Sequence, residues 1–413
     1  MTVEPIHIGP PPTRRDQVLL GFLSVLGEAL HAAGTTAGRL ETVLSAVARA
    51  HGQEAHVFST PTAFTIAIGP LGQQQLALRR VQPSEANLAN LVAIDEVASS
   101  VARGEMSLSA GRRELARISS AKPLYPVPAM IASFGLAAAC AARFFSGTWI
   151  ESLVAAVLGV VVGAIVLRIQ RSERSARVAD FLAGSIAAGA AVLVDRYLFP
   201  IDTITVSLGA IIVLIPGLTL TVAVSELSTL NLVSGSARLI GAIAVLVSLA
   251  IGIGMGSRLS QVVGTSMEVA GSPPPEWTKI IAIPIAAAAF TVVFRAGPKD
   301  YLPIAVAGAI GFYGGRLGLI LFGPELGAAV GALSVGLASN IWSRIRDQPA
   351  AVTVLPGLIL LVPGSLGLRS MYSFLSDDAL VGLDAAVSVL LVAVSLVFGL
   401  LLANGLIPSR KPL

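Results

Sequence analysis

Apolar runs long enough to cross a membrane follow one another from Pro126 to the C-terminal end. Each run covers roughly 18–24 residues, and a helix needs about 20 apolar residues to span the hydrocarbon core. Residues 1–122, in contrast, contain Arg, Glu and Gln throughout. Charged residues make up 13% of the chain, whereas soluble domains carry about 25%. These patterns predict a polytopic α-helical membrane protein with a small N-terminal α/β domain in the cytosol.

We predict ten membrane spans and three domains. The spans cover residues 126–145, 148–168, 180–199, 202–222, 236–256, 279–295, 301–319, 324–342, 349–368 and 380–404. The domains comprise residues 1–122 (soluble), 123–256 (the first five spans) and 257–413 (the second five spans).

Lys and Arg residues between the spans predict the orientation. With the N-terminal domain in the cytoplasm, the cytoplasmic loops hold eleven of these residues and the opposite ends hold six. Cytoplasmic loops are generally the richer in Lys and Arg. The first residues contain no apolar stretch of the kind found in signal peptides. We therefore expect a multi-pass protein of the cytoplasmic membrane with both termini in the cytoplasm.

The ten spans divide into two sets of five, and an odd number per set inverts the second set relative to the first. Inverted repeats are common in secondary transporters. The fourth span of each set contains Pro-Gly inside an apolar run, and the third span of each set is rich in small residues. The expected fold is two five-span inverted repeats, in which the small residues let helices approach closely.

The Pro-Gly pairs are the candidate substrate site. Proline inside a helix costs about 3 kcal/mol, so the pairs predict broken spans. A break exposes helix termini that attract carboxylates, and carbonyls that attract ammonium groups. The alternative is a simple kink covered by neighbouring helices. The substrate-binding candidates are Pro216, Gly217, Thr219, Thr221, Asn231, Pro356, Gly357, Pro363 and Gly364.

Acidic residues near the spans are candidates for proton coupling, because charge inside a membrane is costly and rare. In order of preference they are Glu226, Glu325 and Asp180. Two alternatives stay open. Thr219 and Thr221 are also expected to bond back to their own helix, and Glu226 and Arg238 are also expected to be solvated at the loop.

The sequence of the soluble domain predicts two helices, three short strands and two further helices. Thr35 and Thr36 are expected to cap the second helix, and turns at Pro61 and Gly72 separate the strands. No nucleophile motif, phosphate loop or metal-binding motif occurs. A structural or regulatory role is therefore favoured over a hydrolase. Cys140 is the only cysteine, so no disulfide within the chain and no cysteine metal site is expected.

The sequence resembles the bacterial threonine/serine exporter family over almost its whole length. The residues that carry the resemblance are "LHAAGTTAGRLETVLSAVARAHG", "STPTAF", "NLANLVAIDEVASSVARGEMSLSAGRRELARI", "IPGLTLTVAVSELSTLNLVSGSARL" and "VLPGLILLVPGSLGLRS". Matching motif positions are His31, Gly34, Arg39 and Glu41 in the soluble domain, and Pro216, Gly217, Glu226, Asn231, Pro356 and Gly357 in the membrane part.

The resemblance implies an inner-membrane exporter of small hydroxy amino acids, driven by the proton motive force. Relatives with the two halves on separate chains are linked to export of small dicarboxylates. We therefore expect export of L-threonine and L-serine, with small dicarboxylates such as succinate, a downhill channel and a hydrolase-like N-terminal domain as alternatives. The expected partners are a small-molecule substrate and the lipid bilayer. No cofactor, metal or nucleic acid is expected, and homo-oligomerisation is left open.

Overall fold

The computed structural model describes residues 14–69, 74–170, 178–264, 271–359, 361 and 379–409. Among these, the side chains of Pro324 and of residues 379–386 are not described. The predicted Pro363-Gly364 pair lies outside the described residues.

The N-terminal unit contains four helices around one three-stranded sheet. Its elements are α1 (Arg14–Ala32), α2 (Ala37–Ala50), β1 (Ala55–Thr60), β2 (Ala63–Ile68), β3 (Gln75–Arg80), α3 (Leu88–Ala102) and α4 (Leu108–Ser120). The sheet is antiparallel in the order β1-β2-β3, with Phe58 opposite Thr65 and Thr65 opposite Leu78. Asn87 and Ser107 cap α3 and α4 through their side chains. The predicted helices and strands of this unit are confirmed.

The core of the N-terminal unit continues into the helical bundle. Phe64, Ile66 and Ile68 of β2 are buried against α1. The same apolar cluster includes Ala287 and Ile304 from far along the chain. Burial of apolar surface therefore holds the unit onto the bundle as well as holding the unit together.

Gly34 connects α1 to α2 at a position that only glycine fits. Its φ is +80°, and an added Cβ would lie 2.8 Å from the Cα of Ala86. Gly34→Ala should therefore lower stability by more than the roughly 1–2 kcal/mol of left-handed strain alone. Gly52→Ala is the matched control, because Gly52 has φ +78° but an added Cβ there would meet nothing within 4 Å. Thermal unfolding of the two variants in detergent measures the difference, and equal losses would contradict the predicted clash.

In the part of the chain that the structure describes, ten labelled helices follow the N-terminal unit. They are α5 (Val127–Phe144), α6 (Trp149–Ile169), α7 (Ala179–Tyr197), α8 (Thr203–Ala210), α9 (Gly217–Ser228), α10 (Leu232–Ser257), α11 (Thr278–Val293), α12 (Tyr301–Arg346), α13 (Ala351–Leu358) and α14 (Ala379–Leu406). Short 3-10 turns cover Ile212–Leu214 and Pro298–Asp300, and Ser260–Val263 forms one further helical turn. We call α5–α10 the first helical half and α11–α14 the second helical half.

Six helices of the described residues are long and apolar enough to cross a membrane. They are Val127–Phe144, Trp149–Ile169, Leu232–Val263, Pro298–Gly323, Glu325–Arg346 and Val387–Leu406, and the bent pair α8 and α9 makes up to seven. At 16 residues, α11 is shorter. Helix α7 carries Asp180, Asp195 and Arg196 within its 19 residues. The prediction of an α-helical membrane protein is thus confirmed, while the number of ten membrane spans stays a prediction.

Among the described residues, two helices of the bundle are interrupted. The fourth predicted span breaks between Ala210, where α8 ends, and Pro216, the N-cap of α9. Across this interruption, Thr203–Ala210 and Ile212–Ser228 are bent by 56°. In α12, Gly323 has φ 82° and ψ 177°, so the helix consists of two arms. Proline lacks the amide donor that a continuous helix requires, and glycine permits backbone angles that other residues avoid. The predicted break at Pro216-Gly217 is confirmed.

Within the described residues no break lies at Pro356-Gly357 itself, while the broken span over residues 349–368 stays a prediction, because residues 360 and 362–368 lie outside the described residues. Helix α13 continues through Pro356 to Leu358. An added Cβ on Gly357 would lie 3.0 Å from Val335 Cγ1 and 3.2 Å from Ala307 Cβ, so α13 packs tightly on both arms of α12. Neighbouring helices therefore cover the backbone around Pro356 and Gly357, as expected under the alternative to a broken span.

Glycines bring helices together in both halves. In the first half, α7 packs on α10, and an added Cβ on Gly252 would lie 2.3 Å from Phe181 O. In the second half, the second arm of α12 packs on α14, and an added Cβ on Gly399 would lie 2.3 Å from Ala329 O. Backbone-to-backbone contact of this kind requires small residues. The predicted packing role of the small-residue runs is confirmed.

Candidate functional site

A cavity of about 600 Å³ lies between the N-terminal unit and the two helical halves. Ligand pockets generally have volumes of about 300–1,000 Å³. Its walls come from the α1–α2 connection, the segment before α3, and helices α2, α3, α5, α6, α7, α9, α10, α11, α12 and α13, with Arg39 as the lining residue of α2. It is the larger of the two best-formed cavities among the described residues.

The broken helix forms one wall of this cavity. Pro216, Gly217 and Thr219 all line it, as do Ile212 to Ile215 before the break. The first hydrogen bond of α9 runs from Leu220 N to Pro216 O at 3.0 Å. Gly217 N donates to Ile215 O at 2.8 Å, so the first-turn amides that lack an acceptor within the helix are those of Leu218 and Thr219. A helix N-terminus also carries partial positive charge. This wall therefore suits a carboxylate.

Polar groups meet at the cavity end beside the N-terminal unit. Asp180 of α7 and Glu85 before α3 both line the cavity. Arg238 and Thr35 line the same end. Thr35 is 5% exposed, and its buried Oγ1 has no hydrogen-bond partner among the described residues. The cavity therefore presents acidic groups at this end, while the Thr35 hydroxyl is buried in the wall behind it.

Aromatic side chains line the rest of the cavity. Phe144 of α5 and Phe312 of α12 lie with ring centroids 5.7 Å apart, and Phe290 and Phe294 lie 6.1 Å apart. Lys279, near the start of α11, is also part of the wall. The arrangement is a mostly apolar cavity with few polar groups, as is usual for small-molecule sites.

Glu226 lies in a different place from the one expected for a substrate carboxylate. It is 3% exposed and is not part of the cavity wall. Its Oε1 accepts a hydrogen bond from Ala37 N at 3.0 Å, and its Oε2 accepts one from Ser234 Oγ at 2.8 Å. Arg238 Nε lies 3.1 Å from Oε2. The expectation that this carboxylate is solvated at a loop is wrong, because three groups of the protein surround it.

Thr36 occupies the N-cap position of α2, yet its side chain makes no capping hydrogen bond. Glu226, 189 residues further along, accepts the bond from Ala37 N instead. The expected capping of α2 by the Thr35 and Thr36 side chains is therefore wrong. An anion at a helix N-terminus also interacts favourably with the helix dipole, and a carboxylate does this better than a hydroxyl.

The remaining membrane candidates do not gather at the cavity. Thr221 Oγ1 bonds back to Gly217 O at 3.2 Å, as one alternative expected. Asn231 lies beside Gly38 of α2. Glu325 Oε1 accepts from Ser388 Oγ at 3.3 Å at the start of the second arm of α12. Pro356 and Gly357 are buried, outside the cavity wall.

The motif residues of the N-terminal unit hold its elements together. His31 Nε2 donates to Pro61 O at 3.0 Å, and Glu41 Oε1 accepts from Ser59 N at 2.9 Å. Burial lowers the pKa of His31 and raises the pKa of Glu41. Arg39 pairs with Asp95 of α3 at 2.5 Å, with both residues at most 5% exposed. These contacts join α1 and α2 to the sheet, and α2 to α3.

Several residues of the site carry no sequence signal of their own. Glu85, Phe144 and Phe312 are ordinary residues of their segments, and only folding brings them to one cavity. In the sequence, Ser234 and Arg238 are a hydroxyl and a charged residue shortly after the fourth span. The sequence feature that could have identified them is their spacing, because residues four apart on α10 lie on the same helix face.

Comparisons with known proteins agree with this architecture. Sequence models of the threonine/serine exporter family (ThrE) match residues 22–260 and 279–405. The threonine/serine exporter of Corynebacterium glutamicum is 24% identical over 429 residues, covering 98% of this chain and 87% of the relative. No solved structure matches the chain significantly.

Fungal membrane proteins are also similar. Pheromone-regulated membrane protein 10 of Eremothecium gossypii is 24% identical, covering 84% of this chain and 48% of the relative. The corresponding protein of Kluyveromyces lactis is 23% identical, covering 84% and 38%. The chain therefore spans less than half of these fungal relatives. Because the family match extends over more than half of the chain, the protein belongs to the threonine/serine exporter family, whose members are membrane transporters.

Proposed function

We propose that the protein exports L-threonine and L-serine across the cytoplasmic membrane of a bacterium, driven by the proton motive force. The observation that carries this proposal is the cavity beside the broken helix. It combines a helix N-terminus, an acidic end and hydroxyl groups in one largely apolar enclosure. A hydroxy amino acid presents the complementary groups.

The substrate would lie against the break. Its carboxylate would meet the first-turn amides of α9, where the helix dipole favours negative charge. Its ammonium group would meet Asp180, and its hydroxyl would meet Thr219, both of which line the cavity. Glu226, the first choice from sequence, is replaced by Asp180 in this role because Glu226 is engaged with α2.

The topology that we propose has ten spans in two inverted five-span halves, with both termini in the cytoplasm. Residues 1–122, 123–256 and 257–413 would be the three domains. Equivalent packing supports the repeat: the third helical segment of each half packs on the fifth through glycines. Substrate sites of such transporters generally lie at the interface of the repeats, and the cavity takes its walls from both halves.

Asp180 is the proposed proton-coupling group. It lies on the cavity wall, which Glu85 also lines, so that two carboxylates share one largely apolar enclosure. Like charges in such a site favour protonation of one of them. Asp180→Asn should reduce threonine efflux by about tenfold or more, since a loss of about 1.4 kcal/mol in binding is tenfold. The efflux that remains should no longer respond to a protonophore. Glu325→Gln is the control, because Glu325 lies away from the cavity wall. Normal, protonophore-sensitive efflux in Asp180→Asn would remove Asp180 from the mechanism.

The direct test of function loads an exporter-deficient strain with a threonine-containing dipeptide. Threonine efflux is followed with and without this chain, and with and without a protonophore. Efflux that requires the chain and stops with the protonophore is the expected result. Chain-dependent efflux that ignores the protonophore at a fixed threonine gradient would instead indicate a channel. Absence of chain-dependent efflux, with the protein present in the membrane, would contradict the proposed substrate, and succinate efflux would be measured next.

A further inference from the structure

The N-terminal unit contacts the first helical half through the start of α2. Ala37 N donates to Glu226 Oε1 at 3.0 Å, and an Arg238 guanidinium nitrogen donates to Thr35 O at 3.4 Å. Gly38 lies against Asn231, since an added Cβ on Gly38 would lie 3.2 Å from Asn231 Nδ2. Removal of one partner of a buried ion pair generally lowers the stability of a protein considerably. This contact is therefore specific in charge and in geometry.

The same unit contacts the second helical half through the start of α3. Leu88 N donates to Phe294 O at 3.0 Å, and Ala89 N donates to Arg295 O at 3.1 Å. Phe294 follows the last residue of α11. The first amides and the last carbonyls of helices lack partners within their own helix. Here the two helix ends supply each other's partners, and Tyr125 OH adds a bond to Ala296 O at 2.8 Å.

A buried ion pair joins the two docking helices. Arg39 lies on α2 and Asp95 on α3, and both are nearly inaccessible. Movement of α2 away from the first half would therefore be transmitted to α3 and the second half. Between the two contacts, Gly34, Thr35 and Ala86 line one end of the cavity.

We propose that the N-terminal unit is a clamp that closes this end of the cavity, with Glu226 as the residue that holds it on the first helical half. The clamp rests on the proposed function in two respects: the cavity is the substrate path, and the N-terminal unit lies in the cytoplasm. Glu226 acts as a positioning residue: it touches α2, and it carries neither substrate nor proton. Substrate reaches the cavity from the side of the N-terminal unit only after the α2 contact opens.

A pair of cysteines tests the clamp by locking it. Cys140, the only cysteine of the chain, is first replaced by alanine. Gly38→Cys and Asn231→Cys are then introduced singly and together. Oxidation, or a short thiol-specific crosslinker, should join α2 to the first half in the double variant only. Efflux should fall at least tenfold on locking and return on reduction. Locked protein that exports at the unlocked rate would overturn the proposal, and so would failure of the pair to crosslink.

Accessibility of the cavity provides a second readout that does not depend on transport. Thr219→Cys in the Cys140→Ala background reports access to the cavity wall. Glu226→Ala should raise its labelling by a membrane-impermeant maleimide at least fivefold in inverted vesicles, which expose the side of the N-terminal unit. Glu226→Gln keeps an acceptor for Ala37 N and should raise labelling less. Equal labelling with and without Glu226 would overturn the clamp.

The two readouts separate the clamp from the proposed function. If the wild-type chain exports neither threonine nor serine while Glu226→Ala still opens the cavity to the label, the substrate is wrong and the clamp stands. If threonine export is established while locking and Glu226→Ala change nothing, the clamp is wrong and the exporter stands.

Discussion

Thr219→Trp should abolish threonine efflux while the amount of protein in the membrane stays unchanged. Thr219 lines the cavity on the first turn of α9 and is only partly buried, so a larger side chain extends into open space. The indole would cover the first-turn amides proposed to bind the substrate carboxylate. Loss of such a charge-assisted contact, together with direct blockage, removes both binding and passage.

Size and position are controlled separately in this experiment. Ile240→Trp adds the same indole on α10 at a side chain that is 67% exposed, and it should leave efflux unchanged. Initial efflux rates from dipeptide-loaded cells are compared at matched protein levels. Normal efflux in Thr219→Trp would place the substrate path away from the break.

The hydroxyl contribution of the same residue is measured with valine variants. Thr219→Val should weaken export of threonine and serine by up to about tenfold, as expected for one lost hydrogen bond of about 1 kcal/mol. Thr221→Val is the matched control, because the Thr221 hydroxyl already bonds to Gly217 O and does not reach the cavity wall.

Arg39→Met should destabilise the N-terminal unit by roughly 3–5 kcal/mol, the usual cost of leaving one partner of a buried ion pair uncompensated. Asp95 would be left at 4% exposure without the guanidinium that lies 2.5 Å away. The loss should appear as a lower midpoint of thermal unfolding of the full chain in detergent and as faster hydrogen exchange in α2 and α3.

The double variant Arg39→Met/Asp95→Leu is the control. Replacement of a buried ion pair by apolar residues of similar volume is often neutral or stabilising. The double variant should therefore recover most of the stability, and a double-mutant cycle gives the coupling between the two residues. A double variant as unstable as Arg39→Met would show that the charge pair is not the reason for the loss.

Much of the fold could be predicted because local patterns determine it. Alternating and helical periodicities located β1–β3 and α1–α4, and apolar length located the helices of both halves. The break at Pro216 also follows from local chemistry, since proline removes a donor wherever it lies. Pro356 shows the limit of that argument, because α13 includes Pro356 and ends only at Leu358, with Gly357 packed on Val335 and Ala307.

The contact of Glu226 with Ala37 could not be predicted, because charge and spacing say nothing about contacts 189 residues away. The sequence by itself determined the membrane character, the small N-terminal α/β unit and the broken fourth span, all of which follow from composition and local hydrogen bonding. Only the tertiary structure decided that Glu226 caps α2 and that Asp180 and Glu85 share a cavity. It also decided that the first amides of α3 bond to the carbonyls at the end of α11. Those arrangements depend on which buried groups must find partners in the packed chain, and the partners come from distant segments.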